Sequence, residues 1–333
     1  MKPGARRNAL VALALAAICG SVAAADEPRQ LLERMNQALT TRNYVGTFVH
    51  FANGHSSIMK ILHRVEHGRV TERLVSLDGS GREIVGTSDE LTCYLPDQRK
   101  VLVEPRKDQG PLLGTLPSFR PELLQFYQVQ AGASGRVLGH TTRVVSVMPK
   151  DAFRFGYRLW LDEDTAMPLK TQLCDADGRV IEQILFAEIA WPQHIPNSEF
   201  KPQMSTEGFT WVHAQSPQPI AADAPETLLW HALKLPPGFR LSASSTQALE
   251  DSGPPVAHLV FSDGLATVSV FIEQNDKGQL LRGHASVGSS AAFSTTVDGH
   301  QITAVGEVPP RTVELIAGSV QPTSRGFGVS QHP

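Results

Sequence analysis

Between residues 44 and 104 apolar and polar side chains alternate in six successive stretches: 44–51, 57–65, 69–77, 82–87, 91–95 and 100–104. Alternation with period two puts neighbouring side chains on opposite faces of a strand. Most of the breaks are short and rich in turn formers: Ala52-Asn53-Gly54, Glu66-His67-Gly68, Asp78-Gly79-Ser80-Gly81 and Pro96-Asp97. Connections this short cannot cross over to a parallel neighbour, so the strands must form an antiparallel meander. A six-stranded meander with one apolar face has to curl around something to bury it.

The remaining chain supplies that something. Pro28 followed by Leu32, Met35 and Leu39 predicts a short leading helix. Residues 105–117 are rich in Pro and Gly without a period and read as a long loop. Residues 120–129, with Leu123, Leu124, Phe126 and Tyr127, predict a second helix lying on the curled sheet. Strands are expected at 136–148, 155–161, 169–174 and 179–190, the last two joined by the hairpin turn Asp175-Ala176-Asp177-Gly178. A Pro-punctuated, aperiodic stretch at 203–225 reads as a linker. Beyond it, hairpins are expected around Ser262-Asp263-Gly264 and Asp298-Gly299. A final helix after Pro309-Pro310 should bury Val313, Ile316, Ala317 and Val320. The expected class is α+β: a first domain over 26–202, a smaller one over 226–320, and a disordered tail over 321–333.

Residues 1–25 have the form of a secretory signal peptide. Lys2, Arg6 and Arg7 precede a short apolar run that ends at Ala23-Ala24-Ala25, with cleavage expected after Ala25. A formal net charge of −3 gives no basis for gripping a polyphosphate backbone, so nucleic acid is not an expected partner. Cys93 and Cys174 remain after cleavage. Export to an oxidising compartment permits a disulfide between them, while two free thiols on separate strands is the simpler reading.

Catalytic signatures are weak. His284-Ala285-Ser286-Val287-Gly288 has His where a nucleophile elbow needs Gly, and neither nucleotide-binding glycine motif occurs, so no catalytic residue and no cofactor is expected. His50 and His63 could face each other across the first hairpin, but no thiolate pair or H-E-x-x-H helix accompanies them, so no metal is expected. Asp162, Glu163 and Asp164 read as a solvated loop. What remains is apolar surface: Phe48, Met59, Ile61, Leu74, Tyr94, Phe126, Tyr157 and Trp160 are candidates to line a cavity for a lipid or acyl chain, against the plainer reading that they fill a core.

Several longer stretches carry a resemblance. Arg42-Asn43-Tyr44-Val45-Gly46-Thr47-Phe48, Leu91-Thr92-Cys93-Tyr94-Leu95-Pro96-Asp97, Tyr157-Arg158-Leu159-Trp160-Leu161-Asp162 and Pro168-Leu169-Lys170 look like the first half of RseB/MucB proteins. The run from Phe261 to Glu273 and Val305-Gly306-Glu307-Val308-Pro309-Pro310 look like their second half. The resemblance implies an amino-terminal unclosed antiparallel β-barrel like LolA and LolB with covering helices, plus a smaller antiparallel sheet with a helix. It also implies a periplasmic regulator that binds the periplasmic segment of a membrane anti-sigma factor (RseA/MucA type) and shields it from site-1 protease. Mislocalised lipoprotein or lipopolysaccharide is then expected to release it. Trp230, Phe239, Val268, Val270 and Phe293 are the candidate partner-binding residues. Around 288–293 relatives tend to carry bulkier, more polar residues, which would tune recognition if that loop touches the partner. The alternative is a lipoprotein or glycolipid carrier using only the barrel, for which a second domain has no evident use. Homo-oligomerisation is left open by the sequence.

Overall fold

The computed structural model describes residues 27–79, 81–106, 110–113, 120–213, 229–248, 255–274 and 282–323. The expected signal peptide lies outside these residues. A leading helix, α1 (residues 27–41), precedes the meander. The six strands come next as β1 (Tyr44–Ala52), β2 (His55–Glu66), β3 (Arg69–Ser76), β4 (Glu83–Thr87), β5 (Glu90–Leu95) and β6 (Lys100–Pro105). Five more, β7 (Tyr127–Val137), β8 (His140–Pro149), β9 (Gly156–Asp162), β10 (Pro168–Cys174) and β11 (Val180–Ala190), extend the sheet from the other side of β1. With β12 (Thr210–His213) the order is β12-β6-β5-β4-β3-β2-β1-β11-β10-β9-β8-β7, an unclosed twelve-stranded sheet.

The join between β1 and β11 sets the curl. A bulge between Thr47 and Phe48 adds local twist. At Gly46 a Cβ would sit 2.6 Å from the Phe186 ring, so only glycine lets that ring fold over the strand. On the concave side α1 buries Leu31, Leu32, Met35, Ala38 and Leu39 against Phe48, Ile61, Leu159, Leu161 and Phe186. Each fully buried leucine contributes about 1.5–3 kcal/mol relative to exposure. The loop after β6 also turns inward and places Leu113 in this core. It is held by buried Glu72, which accepts from Arg106 Nη2 at 2.6 Å and from the Leu112 N–H at 3.1 Å. On the convex side the chain after β11 returns across the sheet, fixed by the buried Arg73–Glu83 pair. Arg73 donates to the Glu199 carbonyl at 3.0 Å, and Glu83 accepts the Gln203 N–H at 3.1 Å.

The expected helix over 120–129 does not form. Pro121–Gln125 makes a single 3₁₀ turn, after which Tyr127 enters β7. The reason is the Gly132/Ser134/Gly135 content downstream and a continuing alternation, which favour pairing with β8 over a lone short helix. The stretch read as one strand at 136–148 is broken by a turn in which Leu138 and Gly139 both take positive φ. The Pro-punctuated 203–225 stretch contains β12, paired parallel to β6 through Thr210↔Lys100 to His213↔Val103. Cys93 and Cys174 are both free thiols, on strands separated by five others in the sheet.

The second sheet runs β14 (Arg240–Ala248), β15 (Pro255–Ser262), β16 (Thr267–Gln274), β19 (His300–Gly306), β18 (Ser290–Val297) and β17 (Gly283–Val287) in spatial order. The hairpins expected around Ser262-Asp263-Gly264 and Asp298-Gly299 are β15–β16 and β18–β19. The elbow-like His284–Gly288 segment is an exposed edge strand and its turn. Helix α2 (Pro310–Ala317) starts at the predicted proline and buries Val313, Ile316 and Ala317 on Val268, Val270 and Ile302. Val320 lies beyond the helix, which ends at Gly318. It starts β20 (Val320–Pro322), paired with β13 (Trp230–Ala232), so Gln321 and Pro322 are ordered in a strand instead of belonging to a tail. Residues 324–333 lie outside the described chain.

Candidate functional site

Strand alternation decides where the cavity candidates point. Phe48 and Ile61 are buried in the concave core, and Met59, Leu74, Phe126 and Tyr157 pack against it. Tyr94 and Trp160 belong to the other face. Tyr94 is buried with Val101 and Val103 and meets the edge of Trp211. Leu159 and Leu161 point inward with no exposure, so Trp160 between them must point out, where Lys170 Nζ lies 4.3 Å above its ring. The concave apolar surface is covered by α1, by Leu113 and by Leu123.

Three residues of the 3₁₀ turn and its exit, Leu123, Phe126 and Tyr127, face this interior and also reach the second domain. There the fully buried Arg154 guanidinium forms the centre of a seam. Its Nη1 donates to Asp263 Oδ2 at 2.5 Å, its Nη2 to the Pro237 carbonyl at 2.6 Å and its Nε to Asp151 Oδ1 at 3.0 Å. Phe126, Tyr127 and Phe239 surround it with ring centroids 4.9, 5.5 and 5.3 Å from its central carbon. Asp263 is equally committed: Oδ1 accepts the N–H groups of Leu265 and Ala266, while Oδ2 also takes the Tyr127 hydroxyl at 3.2 Å. Gly238, at φ +81°, is the surface on which Phe126 lies, and any Cβ there would collide with the ring. Thr312 of α2 adds a hydrogen bond to the Phe153 carbonyl at 2.7 Å.

A second contact closes the seam elsewhere. Glu182 of β11 accepts the Ser289 N–H at 2.9 Å and pairs with His50 Nε2 at 3.2 Å, while the Ser289 hydroxyl donates to Glu307 at 3.1 Å. Hydrogen bonding to His50, reinforced by Ser289, outweighs burial and holds the Glu182 carboxyl below the usual range. The Tyr127 hydroxyl is pushed far up by burial and then by the charge of Asp263, so it stays protonated and donating. Burial raises Tyr157 in the same way. A buried ion pair is weak evidence for stability by itself, but removing one partner strands a charge at about 3–5 kcal/mol. The Arg154–Asp263 pair therefore ties the two domains together through charges that are costly to separate.

The partner-binding candidates separate accordingly. Val268 and Val270 are fully buried under α2 and offer no surface to a partner. Trp230 is buried against His300, Phe239 is part of the Arg154 cluster, and half-buried Phe293 packs on His284. Apolar surface on this domain is instead carried by Val287, 80% exposed, and by Leu229 and Leu233. His50 and His63 do not face each other: His50 opposes Ser57, and His63 opposes and stacks on Tyr44. Among the described residues no cluster of His, Cys, Asp and Glu suits a metal. Asp162 is not solvated. It is buried, accepts from the Thr165 N–H and hydroxyl, and pairs with His140. Arg154 and Glu182 escape a reading of the sequence because they lie outside any motif, whereas Ser289 belongs to the 288–293 stretch singled out for recognition and is spent on Glu182 and Glu307. Asp263 is visible there only as a turn residue.

With the geometry in place, similarity to known proteins gives it a context. Residues 27–204 match the MucB/RseB N-terminal domain family and residues 224–321 the MucB/RseB C-terminal domain family. The sigma factor AlgU regulatory protein MucB of Pseudomonas aeruginosa is 33% identical over 300 residues, covering 87% of this chain and 90% of that protein. The sigma-E factor regulatory protein RseB of Escherichia coli is 26% identical over 310 residues, covering 90% and 91%. The crystal structure of MucB in complex with MucA(peri) superposes with a TM-score of 0.70 at 29% identity, covering 89% of this chain and 99% of that one. Family matches to both domains, in order and over nearly all the described chain, place the protein in the MucB/RseB family of sigma-factor regulatory proteins.

Proposed function

We propose that this protein is a non-catalytic periplasmic regulator that binds the periplasmic segment of a membrane-anchored anti-sigma factor. While bound it shields that segment from the site-1 protease and so keeps an envelope-stress sigma factor captive. Acyl chains of mislocalised lipoprotein or lipopolysaccharide bind the first domain and release it. The observation that supports this most directly is the likeness, across both domains, to a MucB solved together with a MucA periplasmic segment. The reading as a regulator without catalysis is supported by the use of its buried charged groups: Glu72, Arg73, Glu83, Arg154 and Asp263 are all spent on holding chain segments or domains together. Among the described residues no helix is long and apolar enough to cross a membrane.

The test is direct. The mature chain, mixed at micromolar concentration with the periplasmic segment of its cognate anti-sigma factor, should retain that segment on a column and slow its cleavage by the site-1 protease. Unchanged cleavage would remove the proposal. The carrier reading finds less support, because the second domain is joined to the first through buried polar contacts instead of hanging from a tether.

A further inference from the structure

We propose that Arg154 is a positioning residue that couples the apolar interior of the first domain to the placement of the second. An acyl chain entering that interior then loosens the seam and weakens the grip on the anti-sigma segment proposed above. This inference rests on the functional reading above and gives it a route.

The route is short and continuous. Leu123 and Tyr127 are buried in the concave core and Phe126 packs on it, so a guest that displaces the 3₁₀ turn from this core moves all three. The same three side chains meet the second domain: Leu123 lies against the turn at Gly264, Phe126 against Gly238, and the Tyr127 hydroxyl donates to Asp263. Traffic in the other direction exists too, since Leu265 of the second domain packs on the first-domain core. Between them sits Arg154, whose donors are directed at Asp151, Asp263 and a carbonyl from two different domains.

Such a cluster does not yield gradually. A guanidinium held in one planar arrangement keeps its bonds only if every acceptor stays within a few tenths of an ångström, and a buried donor that loses its acceptor carries the full desolvation penalty. Displacing Tyr127 or Phe126 therefore favours a second arrangement in which Arg154 and Asp263 reach water, and water is reached by parting the domains. Asp263 also holds the N–H groups of Leu265 and Ala266, so its release loosens the β15–β16 turn at the same moment. Close-packed interfaces of this kind switch between discrete states and do not deform continuously.

The experiment compares the natural chain with Asp263→Asn and Tyr127→Phe. The second removes a single hydroxyl and keeps the ring, which guards against loss of folding. Binding of a fluorescent peptide spanning the periplasmic segment of the cognate anti-sigma factor is measured by anisotropy with and without monomeric dodecylphosphocholine. Binding of dodecylphosphocholine alone is measured by calorimetry. In the natural chain the detergent should weaken peptide binding roughly tenfold, within the usual range of linked sites. In Asp263→Asn, and less so in Tyr127→Phe, the peptide should bind several-fold more weakly before any detergent is added, detergent should add little, and detergent itself should bind more tightly. This opposite movement of the two affinities separates coupling from mere damage. If both affinities fall, or neither changes, in folded variants, the inference is overturned while the functional reading stands. If the natural chain binds peptide but ignores detergent, the inference and the lipid-release step both fail. If the natural chain binds no peptide, the functional reading fails, and the inference with it.

Discussion

The two sheets cover their apolar faces differently. The first is closed over by separate pieces brought from elsewhere in the chain: α1, the inward loop carrying Leu113, and the 3₁₀ turn carrying Leu123. The second is covered by α2 and by β13 and β20, which come directly after its strands or pair with one another. A core assembled from independent covers can exchange one of them for a guest at modest cost, whereas a core sealed by a contiguous helix and sheet opens only by unfolding. The first domain is therefore suited to admit a ligand and the second to act as a firm platform, with Arg154 where they meet.

Three measurements put this contrast at risk. The largest effect is expected from Arg154→Met, which strands Asp263 and should cost about 3–5 kcal/mol in urea unfolding. It should also split one transition into two as the domains cease to melt together. A single transition of unchanged midpoint would mean that the seam contributes no cooperativity. Next, Ile316→Ala under α2 should cost about 2–5 kcal/mol. Leu113→Ala should cost less and should increase uptake of a fluorescent fatty acid. Equal costs with unchanged uptake would erase the distinction between the two cores. The smallest effect concerns acidity. The folded Glu182 carboxyl is lowered, so its stabilising contact is complete above the unfolded value of about 4.3 and is lost as pH falls through the lowered folded value. His50→Ala removes the principal cause, so acid loosening of the seam, tracked by small-angle scattering, should begin at higher pH than in the natural chain.

Much of this architecture is readable from residue order because alternation and turn chemistry are local. Asn53-Gly54, His67-Gly68 and Asp298-Gly299 mark hairpins through backbone preference alone, and each forms one with positive φ. Tyr94 and Trp160 show the limit. Alternation establishes that Trp160 opposes Leu159 and Leu161, but not which set faces inward, a choice made by α1 and the returning chain. The helix expected over 120–129 fails for a similar reason: four apolar residues at helical spacing describe equally well a turn that inserts Leu123 and a strand that begins at Tyr127. The sequence singles out Phe126, Phe239 and Asp263, but each for another role, and it does not join them into a seam. Arg154 and Asp263 are 109 residues apart, and Arg154 lies in no pattern that announces its burial.

The parallel pairing of β12 along β6 governs how far the domains can separate once the seam opens. It makes the chain leave the first domain from a fixed point at His213, and only residues 214–229 intervene before β13. Parted domains consequently remain joined by this short stretch of chain. Reclosure is thus an intramolecular event, independent of how much of the protein a cell contains. A switch of the kind proposed would therefore reset once the intruding lipid is cleared, without synthesis of a fresh copy.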